Sequence, residues 1–422
     1  MEVLKIKGNK DFVKEIEAPS SKSFSHRYIL GASFCGEKVR VKNIIYSKDT
    51  LATLGAIEAM GASVTKGNDY VDVFFDINNA KKEDVCIDCN ESASTLRFII
   101  PICAALGIKC KIYGKQSLMI RPISVYTKMF DEIGFDYEYK KGEYIKLNGK
   151  LCGGKYLIDG DISSQFITGL LFALSVLDEK SEIVINKTLE SKPYVDITLS
   201  VLDFYGIKIK NNNYKSFEIE PNQKYIPKDA YVEGDYSQGC AFIGAGVAFG
   251  KVKIKNLIKN SPQGDKAFID FVKQLGAKVE VHTDYVECEK SSLVSDKTFD
   301  VSNCPDITPV FSAVCAFAKG KTTLVGIERL RIKESDRVKS IVTTLNAFGV
   351  KASDEGDKIV IYGCKNTKGG VFDSFNDHRI AMMISILSLG TDDEVYIKTP
   401  MCVEKSYPRF YDDFEGIITV IK

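Results

Sequence analysis

The chain has 422 residues, 45% of them apolar and 27% charged, with a net charge of +1. That length supports two or three domains with full cores, and the near-neutral charge gives no reason to expect nucleic acid or an anionic membrane as a partner. No run of about 18 uncharged apolar residues occurs, so no membrane span is expected, and the charges within Met1–Lys7 speak against a signal peptide. The chain carries 12 cysteines, and most sit in apolar segments, as at Cys103, Cys240 and Cys315, which suits reduced thiols in a cytoplasmic protein. Cys86 and Cys89 have the spacing of metal ligands, but no second pair or nearby His completes a ligand set. With 3 His in the whole chain, no metal site is expected.

In chain order, the first informative stretch is Pro19-Ser20-Ser21-Lys22-Ser23-Phe24-Ser25-His26-Arg27, at the mouth of the apolar run Tyr28–Phe34. Ser20 or Ser21 can cap a helix by accepting a bond from a first-turn N–H. The open N–H groups and the positive dipole end then favour an anion, and Ser23 and Arg27 share one helix face. Alone, this is also the pattern of an ordinary capped helix with a solvated Lys and Arg. An amphipathic helix follows, closed by Gly61, and then a strand-turn-strand over Val64–Val73 with Gly67–Asp69 as the turn. The same succession returns. Apolar helices begin near Ser23, Ser94, Gln165, Ser237, Thr308 and Arg379, in steps of 71, 71, 72, 71 and 71. Their bodies are apolar on nearly all sides, which predicts burial. Pro101 falls inside one of them and is expected to kink or shorten it. The second, amphipathic helix of each unit ends at Gly61, Gly134, Gly206, Gly276, Gly349 and, in degenerate form, Gly416.

Each unit of about 70 residues therefore reads as strand, buried helix, strand, outer helix, strand, strand. That is longer than the usual 20–50 residues of a linear solenoid, so a compact arrangement is predicted: α/β, with buried helices and outer sheets, an inside-out α/β barrel. Six units suggest two domains of three. The expected boundaries are 21–227 for one domain and 1–20 plus 228–422 for the other, with the hinge in the polar stretch Pro221–Lys228 and the first strand crossing back.

Equivalent helix starts would face one common surface. They carry Lys22, Ser23 and Arg27 in the first unit, Ser92-Ala93-Ser94-Thr95-Leu96-Arg97 in the second, and Asp161-Ile162-Ser163-Ser164-Gln165 in the third. Asp306 follows in the fifth unit and Asn376-Asp377-His378-Arg379 in the sixth. A second ring, in the loops before the outer helices, holds Lys48, Arg121, Lys192, Pro262, Lys333 and Lys405. Any one cation is best read as a solvated charge. Many at equivalent positions of a repeat, in a chain of net charge +1, imply a ligand with several negative charges. Among them stand two carboxylates, Asp306 and Glu334, a pairing suited to acid–base work. Their bland reading is charge balance for Lys333 and Arg337. Phosphate-loop and dinucleotide glycine fingerprints are both lacking.

The motifs now match a family. Pro19 to Arg27, Ser94-Thr95-Leu96-Arg97, Ser163-Ser164-Gln165-Phe166, Ser191-Lys192-Pro193-Tyr194, Arg331 to Arg337 and Asn376-Asp377-His378-Arg379 closely resemble, in order, the signatures of the 5-enolpyruvylshikimate-3-phosphate synthase family. The resemblance spans essentially the whole chain. It implies two domains of three βαβαββ units that close on substrates like a clamp. It implies transfer of the enolpyruvyl group of phosphoenolpyruvate to the 5-hydroxyl of shikimate 3-phosphate. No metal or organic cofactor, no nucleic acid and no membrane partner is implied, and a cytoplasmic monomer is expected. The family pattern puts shikimate 3-phosphate on Lys22, Ser23, Arg27, Ser163, Ser164, Gln165, Ser191, Tyr194, Asp306 and Lys333. It puts phosphoenolpyruvate on Lys22, the Ala93 backbone, Arg121, Gln165, Arg337, Arg379 and Lys405. Asp306 is implied as the proton acceptor for the attacking hydroxyl and Glu334 as the acid that protonates the methylene. Lys22 and Lys405 complete the catalytic set.

Two positions depart from the pattern. The family commonly has Gly where this chain has Ala93, a change the resemblance links to tolerance of the inhibitor glyphosate. Some members carry Asn where this chain has Arg329, so a contact to the phosphorylated sugar acid is not carried over there. The sister family that uses UDP-N-acetylglucosamine usually has a reactive Cys at the position of Gln116 and lacks the Lys22-Ser23 signature. A non-catalytic ring that binds polyanions would show basic net charge and aromatic platforms, against the +1 found here.

Overall fold

The six glycines that end the outer helices set the rhythm of the structure. Gly61, for example, has φ +111° and returns its N–H to the carbonyls of Glu58 and Ile57, a closure that a Cβ would strain. The other five also have positive φ, between +66° and +95°. The computed structural model describes residues 3–421. Met1, Glu2 and Lys422, which the sequence assigns to the second domain, lie outside the described residues.

Six four-stranded sheets among the described residues follow one pattern. In the third, Lys155–Asp159 runs parallel to Ser181–Asn186, which pairs antiparallel with Ser216–Ile219, and Ile209–Asn212 takes the edge. Side chains alternate across the sheet. Tyr156 and Ile158 face inward and are buried, while Leu157 between them is exposed. This is the βαβαββ order predicted from the repeat, with three positions filled from elsewhere. Ala230–Tyr231 supplies the first strand of the first sheet, parallel to Val39–Lys42. Val13–Glu17 does the same beside Lys251–Lys255. Val3–Gly8 lies between Val395–Lys398 and Ile418–Ile421, antiparallel to both.

The chain divides into two compact units, Ser20–Glu233 and the remainder, which joins the chain up to Pro19 with everything from Gly234 on. Pro221–Lys228 belongs to the Ser20–Glu233 unit, where Tyr225 is buried with its hydroxyl 2.6 Å from Ser175 Oγ. In each unit the apolar helices are the core. Lys22–Ser33, Ala93–Leu106 and Ser164–Leu174 serve one. Tyr236–Phe249, Thr308–Cys315 and His378–Leu387 serve the other. Every residue of Ser164–Leu174 except Gln165 is buried. Gly169 allows the close approach of its neighbour, because a Cβ there would stand 2.4 Å from the Arg97 carbonyl oxygen.

Pro101 does not shorten its helix, which runs unbroken from Ala93 to Leu106. The missing N–H would have bonded the carbonyl of Arg97, four residues back. That carbonyl is met instead by the Tyr126 hydroxyl at 2.6 Å, which also lies 2.9 Å from the Phe166 carbonyl. Tyr126→Phe leaves this buried carbonyl unpaired and is expected to destabilise the fold by about 1–3 kcal/mol. A denaturant titration that gave an unchanged midpoint would show that the hydroxyl does not carry the compensation. Among the described residues, no helix is long and apolar enough to cross a membrane.

Candidate functional site

In the Ser20–Glu233 unit, the three core helices start one residue after a serine. Ser21, Ser92 and Ser163 accept bonds from Phe24, Thr95 and Gln165 N–H, so Lys22, Ala93 and Ser164 each open a first turn. Lys22 Nζ lies 3.0 Å from Asp49. Arg27, one turn deeper, is 2% exposed. Its guanidinium reaches neutral acceptors: Thr198 Oγ1 at 2.8 Å, the Ser23 carbonyl at 2.8 Å, the Tyr194 carbonyl at 3.0 Å and Thr168 Oγ1 at 3.2 Å. It also stands 5.3 Å from the Phe98 ring centroid. Burial works against its charge and pulls the pKa down to about 9. Ser191, buried, takes φ +54° just before the Lys192–Phe204 helix, which brings Tyr194 to Arg27. Gln165 ties two helix starts together: its Oε1 accepts from Arg97 at 2.6 Å and its Nε2 donates to Ser94 at 2.9 Å. Arg97 also reaches the Pro122 carbonyl at 3.4 Å, beside the half-buried Arg121.

In the other unit, Arg337 is the centre. Its Nη1 lies 2.8 Å from Asp306, its Nη2 2.8 Å from Glu334, and its Nε 2.9 Å from Asp377. Burial opposes this charge, but Asp377, Glu334 and Asp306 outweigh it and hold the guanidinium pKa well above its usual value. The planar fork suits such a task, because each N–H direction meets a separate carboxylate. Lys333 lies 3.4 Å from Asp306, and burial lowers its pKa despite that neighbour. Asp377 also caps its helix by accepting from Arg379 N–H at 2.9 Å. The Arg379 guanidinium is 1% exposed, and its Nη1 donates to the Ser237 carbonyl at 2.8 Å. Its Nε, fully buried, has no partner among the described residues. Lys405 Nζ donates to the Asn376 carbonyl at 2.7 Å. Asp265, buried beside the Ser237 hydroxyl, has its pKa pushed up to about 7 by burial, with Asp306 adding to the shift.

The sequence profile described as EPSP synthase (3-phosphoshikimate 1-carboxyvinyltransferase) matches residues 6–414. The chain belongs to the EPSP synthase family. Relatives named 3-phosphoshikimate 1-carboxyvinyltransferase include that of Clostridium novyi, 41% identical over 416 residues, covering 96% of this chain and 95% of the relative. That of Clostridium beijerinckii is 42% identical over 412 residues, covering 96% and 94%. In fold, an EPSP synthase structure from Acinetobacter baumannii matches with a TM-score of 0.83 at 23% identity, covering 100% of both chains. Membership makes the chain a transferase.

Among EPSP synthase motifs in this chain, the structure groups Ser23, Arg27 and Tyr194 by direct contact, with Ser163 and Ser164 at the start of the Ser164–Leu174 helix beside Gln165. It groups Asp306, Lys333, Glu334 and Arg337 in the second unit. Among the described residues, Arg337 bonds three carboxylates and Arg379 bonds none. The sequence motifs do not single out Asp49, Asp265 or the carboxylate role of Asp377. Asp49 follows Lys48 of the second ring, and Asp265 sits three residues past Pro262, the one ring position without a cation. That gap is the signal the sequence offers for Asp265. Glu280, His282 and Glu287, on the hairpin of Lys278–Val281 and Tyr285–Glu289, bring ligand atoms within 4.8 Å of one another. Glu287 there also lies 3.6 Å from Lys253, and none of the three belongs to the predicted site.

Proposed function

We propose that the chain transfers the enolpyruvyl group of phosphoenolpyruvate to the 5-hydroxyl of shikimate 3-phosphate. The reaction releases phosphate and belongs to the shikimate pathway toward chorismate and the aromatic amino acids. The observation that carries this reading is that Arg27 and Arg379, 2% and 1% exposed, have no carboxylate in contact among the described residues. A buried charge without a counter-charge is costly, and an anionic ligand removes that cost. Both substrates carry phosphate, and phosphoenolpyruvate adds a carboxylate.

In this reading Lys22, Ser23, Arg27, Ser163, Ser164, Gln165, Ser191, Tyr194, Asp306 and Lys333 hold shikimate 3-phosphate. Lys22, the Ala93 N–H, Arg121, Gln165, Arg337, Arg379 and Lys405 hold phosphoenolpyruvate. Asp306 accepts the proton of the 5-hydroxyl as its oxygen adds to the enol carbon. Glu334 gives a proton to the methylene, producing a tetrahedral centre that bears both carboxylate and phosphate. Glu334 then takes a proton back from the new methyl group as the carbon–oxygen bond to phosphate breaks. Fixed cations, Lys22 and Lys405 among them, stabilise charge developing on the leaving phosphate. Arg337, bonded to both acids, keeps the pair oriented. The reading further takes the enzyme as a monomer in the cytoplasm, a reducing compartment in which its 12 cysteines would stay as thiols.

The test is phosphate release with phosphoenolpyruvate and either shikimate 3-phosphate or UDP-N-acetylglucosamine as acceptor. Release with the first acceptor alone is expected, and none with it would overturn the reading. Glyphosate tolerance belongs to the same proposal. Ala93 opens its helix and is 9% exposed. Its methyl narrows the phosphoenolpyruvate pocket against an inhibitor longer than the substrate. Relief of such crowding is worth about 1–3 kcal/mol, so Ala93→Gly is expected to lower the glyphosate inhibition constant by about tenfold or more. Equal constants for the two proteins would remove Ala93 as the cause.

A further inference from the structure

The fourth repeat has no Lys or Arg at either ring position: its helix opens Tyr236-Ser237-Gln238, and its loop carries Pro262. Its polar residues are instead turned onto its own helix start. The Gln263 carboxamide accepts from Tyr236 N–H at 3.0 Å and donates to the Gly234 carbonyl at 2.8 Å. Asp235 caps the helix by accepting from Gln238 N–H at 3.1 Å. Asp265 accepts from the Ser237 hydroxyl. Gln263, Asp235, Gln238 and Asp265 are all 5% exposed or less.

Capping alone does not explain Asp265. Asp235 already satisfies the helix end, and burying a second carboxylate is expensive. What the arrangement delivers is a fixed Ser237, whose carbonyl receives Arg379 Nη1 at 2.8 Å, with Gln238 Oε1 at 3.4 Å from the same nitrogen. Arg379 is held from one edge by neutral acceptors, and Asp265 reaches it through Ser237. A direct carboxylate would occupy the guanidinium fork, as three carboxylates occupy that of Arg337. A carboxylate one residue removed steadies the arginine and leaves the fork to a ligand.

We propose that Asp265 is a positioning residue for the anionic co-substrate: by holding Ser237 it fixes the carbonyl that aims Arg379, and so sets the affinity for phosphoenolpyruvate. This rests on the reading of Arg379 as a phosphoenolpyruvate receptor. The fourth repeat, which offers no cation, then serves the site by orienting the cation of the sixth.

The experiment measures KM for each substrate, kcat and thermal melting for the full chain and for Asp265→Ala, Ser237→Ala and Asp265→Asn. Loosening a hydrogen-bonded charged group typically costs enough for a tenfold change. Asp265→Ala and Ser237→Ala are therefore each expected to raise KM for phosphoenolpyruvate about tenfold, with KM for shikimate 3-phosphate changed less than about twofold. Asp265→Asn keeps an acceptor for the Ser237 hydroxyl and should stay within about threefold of the parent protein. A rise in both KM values together, an Asn variant as impaired as the Ala variant, or an unchanged phosphoenolpyruvate KM would overturn the inference. Should Asp265→Ala fail to fold, Ser237→Ala decides, since it removes the same link from the other end. No turnover in the parent protein would overturn the functional reading and this inference together. Normal parent turnover with an unchanged phosphoenolpyruvate KM in the variants overturns this inference alone.

Discussion

Lys22→Ala is expected to lower kcat by about a thousandfold, within the range that a positioned proton-transfer or charge-stabilising group supplies. The fold should survive it. Lys22 opens the Lys22–Ser33 helix after the Ser21 cap and contributes nothing to the core. Its pair with Asp49 is largely buried, with side chains 17% and 14% exposed, so its loss is expected to cost more than the about 0–1 kcal/mol of an exposed ion pair. Kinetics and melting on the same preparation therefore separate two explanations. Lost turnover with a cooperative melting transition retained would assign Lys22 to the chemistry. Turnover kept within about tenfold would remove it from the catalytic set.

Arg337→Ala acts in the opposite sense, on stability first. The guanidinium, 1% exposed, is the counter-charge of Asp306, Glu334 and Asp377, and Asp377 is completely buried. Removing one partner of a buried pair leaves the other charge uncompensated, at a cost of about 3–5 kcal/mol. Here the cation serves three acids, of which Asp306 keeps Lys333 at 3.4 Å, so a cost within that range is expected. Arg337→Lys keeps the charge but not the fork, and a point charge cannot serve three carboxylates in three directions. It should recover only part of the loss. A denaturant midpoint within error of the parent for Arg337→Ala would mean that the acids find other partners, and that Arg337 is not the hub of this cluster.

Both variants touch residues that stand out in the sequence, but for different reasons. Lys22 is legible because a serine cap and the following helix are local events, settled within four or five residues of chain. Arg337 is legible as half of an i, i+3 pair with Glu334. Its bonds to Asp306 and Asp377, 31 and 40 residues away, are not. Asp265 is hidden for the same reason, since its partner Ser237 stands 28 residues away.

What the sequence by itself determined is the repeat. Helix starts in steps of 71 or 72 residues, glycines that close the outer helices, and helices apolar on every side are each written in short-range chemistry. The family motifs lie on that frame, and it is the resemblance they carry that numbers the proposed site. Tertiary structure decided what local chemistry leaves open. Strand propensity cannot say which sheet receives Val3–Gly8, Val13–Glu17 or Ala230–Tyr231, because partners are chosen by long-range pairing. Pro101 reads as a break until Tyr126 arrives from another segment to bond the carbonyl it abandons. The contrast between Arg337, bonded to three carboxylates, and Arg379, bonded to none among the described residues, depends on which carboxylates and carbonyls the fold brings within 3 Å, and charge alone does not distinguish the two.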